Sequence, residues 1–178
     1  MLEEFMISLG HKDDEIDLIK SSYPLNTYTE STLLYKYKNL VNFFHRNGID
    51  NESIRKITTT IPTSISMSIE DIKDKIKELS KYSLNKINVF QMIKNYPYIL
   101  EMSSVRIQNK YELFKKLHFS TEDTNELLIR KTELLNKDPS YIEKHIQQLR
   151  DFGYDSKDIP TMINALPSLL EISLNTLK

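Results

Sequence analysis

Prolines recur along this chain at a fixed interval, and a proline stops or starts a helix wherever it falls. Pro62 and Pro97 are 35 residues apart, and Pro167 lies two such intervals beyond Pro97, with Thr132 at the intervening place. Fourteen residues before these positions stand Gly48, Ser83, His118 and Gly153, and Gly10 stands fourteen before Pro24. The interval from Pro24 to Pro62 is 38, so the first unit carries three extra residues, expected near Asn26 to Ser31. Five structural pivots result: Pro24, Pro62, Pro97, Thr132 and Pro167. A self-similar period of this length predicts stacked helical units that share one continuous core.

Each unit carries its own start and stop signals. Twelve before the pivot are Asp50, Asn85, Ser120 and Asp155, whose side-chain oxygens can accept from free N–H groups at a helix start. The residue before each cap is Ile49, Leu84, Phe119 or Tyr154, and four residues into the helix lie Ile54, Val89, Thr124 and Ile159, the spacing of a hydrophobic staple in three units of the four. The pivot ends this first helix. Ile65, Leu100, Leu135 and Leu170 then sit three past the pivot, in a segment only long enough for one turn, and are expected to plug the core. Ser68, Ser103, Asp138 and Ser173, six past the pivot, launch a second helix, and Pro139 suits its first position. Its apolar stripe reads Ile72, Ile76, Leu79, then Ile107, Tyr111, Phe114, then Ile142, Ile146, Leu149. In the first unit the stripe is Tyr37, Val41 and Phe44, displaced by the three extra residues.

The expected fold is therefore all-α: a right- or left-handed superhelical solenoid of about 35-residue units, each with two α-helices and a short 3₁₀ helix after the pivot. Units are expected at 10–47, 48–82, 83–117, 118–152 and an incomplete 153–178, in one domain, with 1–9 a remnant or capping helix. Pro160, inside the last first helix, should delay or bend its start.

Much chemistry is excluded by composition. The chain has no cysteine and only three glycines, so thiolate sites, disulfides and glycine-rich phosphate loops are ruled out. His11, His45, His118 and His145 lack metal-ligand spacing, and no serine or carboxylate is placed for a catalytic triad. The acidic run Asp13, Asp14, Glu15 and Asp17 suits the first turn of a helix better than a cation loop. No enzyme, cofactor, metal or small-molecule substrate is expected. No apolar run approaches the ~18 residues of a membrane span, and the first residues are acidic where a targeting segment would be basic. The chain as given is expected to be cytoplasmic, or organellar if it is a mature or trimmed form.

Residues 149–178, LRDFGYDSKDIPTMINALPSLLEISLNTLK, resemble one unit of the mitochondrial transcription termination factor (mTERF) family, in which a Gly-aromatic pair, a helix and Pro-x-x-Leu follow in order. Residues 82–103, YSLNKINVFQMIKNYPYILEMS, fit the same pattern without the glycine. The resemblance covers essentially the whole chain and implies an mTERF-like superhelix that binds DNA or RNA along a charged groove. A protein or peptide partner is the alternative. The net charge is −1, which favours that alternative, yet residues 83–117 alone carry +4. Two basic rows would line up across stacked units: Lys75, Lys110 and His145 thirteen past the pivot, and Ser80, Lys115 and Arg150 eighteen past it. With Arg106 and Lys116 nearby, these are the candidate phosphate contacts, although long basic side chains also simply solvate a helix edge. Tyr23, Tyr96 and Tyr98 beside the pivots could stack on bases, although packing is the commoner role of such residues.

Overall fold

A computed structural model describes residues 1–171. Its elements follow in the order α1 (Leu2–Ser8), α2 (Asp13–Ser21), α3 (Glu30–Arg46), α4 (Asn51–Thr60), α5 (Ile69–Ser80), α6 (Lys86–Asn95), α7 (Ser104–Lys116), α8 (Thr121–Arg130), α9 (Pro139–Asp151) and α10 (Ile159–Ala165). Short 3₁₀ segments, Leu25–Thr27, Pro62–Ile65, Pro97–Leu100, Thr132–Asn136 and Pro167–Leu170, follow the even-numbered helices. The chain is an all-α array of helix, 3₁₀ turn and helix.

The caps explain why the helices begin where they do. Asp50, Asn85 and Ser120 accept from the backbone N–H three residues on, at 2.8, 2.9 and 3.0 Å. Ser68 and Ser103 do the same for α5 and α7, and the Asp138 carboxylate accepts from Ser140 N at the start of α9. The plugs Ile65, Leu100, Leu135 and Leu170 are all buried. The predicted cap Ser173 lies outside the described residues.

Three expectations change. Asp155 does not cap α10: its carboxylate accepts from Lys157 N at 2.9 Å in a local turn, and the helix starts only at Ile159, one residue before Pro160. Proline suits the first turn of a helix and is unfavourable deeper inside it, so the start moves to meet it. The staple fails in the same unit, where Tyr154 is exposed. The three extra residues of the first unit do not fall between Asn26 and Ser31; they lengthen α3 to 17 residues, against 12 in α5 and 13 in α7 and α9. An insertion close to one turn returns the stripe to the same face, and Tyr37, Val41 and Phe44 are buried.

The first helices α2, α4, α6, α8 and α10 pack each on the next. Main-chain carbonyls tie the units together. Asn95 Nδ2 donates to Ile129 O at 2.8 Å, and one unit later Arg130 donates to Asn164 O from the equivalent place. Lys75 Nζ donates to Met102 O at 2.6 Å, and Lys110 Nζ donates to Lys137 O, again one period on. At the N-terminal end a buried polar cluster joins the α1–α2 connection to α3 and α4: His11 Nε2 meets the Tyr37 hydroxyl, which lies 2.8 Å from Thr58 Oγ1.

Candidate nucleic-acid interface

The seven predicted basic residues do not form one surface. The row Lys75, Lys110 and His145 turns inward. Lys75 is committed to Met102 O and, at 2.7 Å, to Glu78. Lys110 is 4 % exposed and its head is taken up by the Lys137 carbonyl. Burial holds its amine below the usual lysine range, with Arg106 adding to the effect and Asp138 opposing it. His145 is buried, its Nδ1 is 2.8 Å from Tyr141 O, and its ring lies against the Tyr141 ring. The row was expected on the surface because it flanks the apolar stripe, but a long stem at that angle reaches the carbonyl of the next unit before it reaches water.

Lys115, Lys116, Arg106 and Arg150 do reach solvent, in three separate places. Lys115 borders a shallow apolar cavity beside Tyr82, Tyr111 and Phe119. Arg106 borders a cavity with Tyr96 and Tyr98. Lys116 and Arg150 come together with Lys144 and His118 around an open groove of about 680 Å³ between the end of α7 and the outer face of α9. One acid, Glu143, lines the groove, 3.4 Å from Lys116. Lys144 and Arg150 have no acidic partner among the described residues.

Two features escaped the sequence reading. Lys144 was missed because it lies in neither row. Arg46, Lys81 and Lys116 occupy one repeat position, sixteen before the next pivot, and all three are exposed at the ends of α3, α5 and α7. Counting backward from the following pivot would have revealed this row; counting forward from the preceding one breaks it at the longer first unit. Arg46 also borders a smaller groove of about 360 Å³ with Lys86, Lys94, Ile87 and Phe90. Among the described residues no group of three or more histidines or carboxylates converges to hold a metal ion, and no helix is long and apolar enough to cross a membrane.

Stacked helical units joined by main-chain ties, with basic side chains gathered in grooves between them, define a helical-repeat solenoid, a class that recognises extended partners along its surface. The mTERF family model matches residues 3–137 and 72–178, and the chain belongs to this family. It is also similar to "Transcription termination factor 3, mitochondrial" of Mus musculus, 24% identical over 94 residues, and to the protein of that name in Rattus norvegicus, 26% identical over 94 residues. In both cases the match covers 52% of this chain and 23% of the relative, so the chain spans well under half the length of these proteins.

Proposed function

We propose that this chain binds nucleic acid, DNA or RNA, through the groove between α7 and α9, and that it acts in transcription by occupancy rather than by chemistry. The observation that carries the reading is the convergence of Lys116, Lys144, Arg150 and His118 on one groove against the single acid Glu143. Three permanent positive charges there contact phosphates and release counterions, so affinity falls with salt with a logarithmic slope of about −3 on duplex DNA. Family membership and the names of the two rodent relatives support a role in transcription, and those names favour an organelle over the cytoplasm as its compartment.

The test is a titration of labelled duplex and single strand across low to moderate salt, followed by fluorescence anisotropy. Reversing Lys116, Lys144 and Arg150 to glutamate should abolish the salt-sensitive signal. If the wild-type chain gives no such signal, the reading fails.

A protein or peptide partner is the second reading. It is favoured by the groove around Arg46, Lys86 and Lys94, whose border includes Ile87, 80 % exposed, so that an acidic segment with apolar side chains would fit there.

A further inference from the structure

A different cavity, of about 400 Å³, opens where the 3₁₀ segment Pro97–Leu100 meets the first turn of α7, and it is lined by Tyr96, Tyr98, Glu101, Met102, Arg106 and Asn136. Its volume falls within the ~300–1,000 Å³ range of small-ligand sites. The pivot creates it. Tyr96 leaves helical geometry (φ −142°, ψ 83°) before Pro97, and the tight 3₁₀ turn then brings Tyr98 back toward Tyr96, their ring centroids 5.4 Å apart and tilted by 50°. Tyr98 is 45 % exposed. Packing does not require an aromatic ring there, because the equivalent residues of the other units are Leu25, Thr63, Glu133 and Ser168.

We propose that this cavity takes an unpaired nucleobase, a proposal that rests on the nucleic-acid reading above and names the form of nucleic acid this part of the surface selects. The exposed tyrosine supplies a stacking face, which tolerates any base. The Asn136 amide offers both a donor and an acceptor to a base edge. The Glu101 carboxylate, which already receives the Thr63 hydroxyl, accepts from an exocyclic amino group. Arg106 has no acidic partner among the described residues, and its guanidinium can bind the adjoining phosphate. A base inside a duplex has its faces stacked and its edge paired, so it cannot offer these groups. Lys116 lies ten residues further along α7, ~15 Å along the helix axis, so the basic groove is within reach of the same strand.

The experiment compares the wild-type chain with Tyr98→Ala and Tyr98→Phe, after thermal melts have shown all three folded. Four probes are used: a short single strand of mixed sequence, an abasic strand of equal length, a fully paired duplex, and adenosine monophosphate. Tyr98→Ala should weaken the mixed strand about tenfold, the loss expected for one stacked base, while Tyr98→Phe retains wild-type affinity. Abasic strand and duplex should bind all three proteins equally. Saturable binding of adenosine monophosphate that is lost in Tyr98→Ala would identify a free nucleotide as the source of the base, and an effect confined to the strand would identify a polynucleotide. If wild type and Tyr98→Ala bind the mixed strand equally while the duplex still binds, the cavity proposal is overturned and the groove reading stands. If the wild type binds no strand and no duplex, both fall.

Discussion

Five residues, each fourteen before a pivot, adopt left-handed backbone conformations: Gly10, Gly48 and Gly153 at φ of +90°, +78° and +93°, and Ser83 and His118 at +63° and +73°. The two non-glycines take up the same conformation as the glycines, at an energetic cost. That cost is about 1–2 kcal/mol for a residue with a Cβ, partly offset by the greater freedom of glycine in the unfolded chain. Ser83→Gly should therefore raise the urea midpoint, by up to about 1 kcal/mol in stability. Gly48→Ala should lower it by a similar amount, and through φ alone, since nothing lies within 4 Å of an added Cβ. The basic residues divide in the same measurable way. Lys110→Met leaves the Lys137 carbonyl without its donor and should cost about 1–2 kcal/mol of stability while leaving nucleic-acid affinity unchanged. Lys116→Glu should do the reverse. His11 supplies a pH dependence. Burial pushes its imidazole below the ordinary value, against the pull of Glu15, with Arg55 adding to the depression. The unfolded chain thus takes up the proton first, so this contribution to stability is intact above a pH of about 6.5 and is lost as the pH falls below it. Melting temperature should drop between neutral and mildly acidic pH, and His11→Gln should flatten that slope; an unchanged slope would remove His11 as its cause.

At the scale of elements, the pivot survives the loss of its proline. Lys131 before Thr132 leaves helical geometry as Ile61 and Tyr96 do before their prolines, and a 3₁₀ segment still follows. The buried Thr132 hydroxyl donates to Leu128 O at 2.8 Å, satisfying a carbonyl at the end of α8. Thr132→Val should accordingly destabilise by about 1 kcal/mol, whereas Thr132→Pro should stay close to wild type, both read from chemical denaturation. The architecture was legible in the sequence because pivots, caps and plugs are local devices whose spacing a count can find. The interface was less so. Whether a lysine points to water or to a neighbouring carbonyl depends on where the next unit lies, and thus Lys75 and Lys110 looked the same as Lys115 in the sequence. The length of α3 was hidden for a related reason, since one extra helical turn leaves the apolar pattern in phase.

For the whole molecule, contacts run between neighbouring units, and several of them end on main-chain atoms. Removal of residues 83–117 would bring Lys75 opposite the Lys137 carbonyl, in the same relation it now has to Met102. The shortened chain should remain helical and melt cooperatively at a lower temperature, as followed by circular dichroism. It should also lose most of its affinity for nucleic acid, because the deletion removes Lys116 and the tyrosine cavity together. A non-cooperative melt would show that the units depend on more distant contacts than those between neighbours.

Glycine, serine and histidine all fill one left-handed position along this chain. Across the repeats of this chain the torsion angle is kept while the side chain differs. Over the matched stretch this chain and its rodent relatives agree at about a quarter of their residues. Distant kin of this protein are better sought by the beat of their pivots than by counting identical letters.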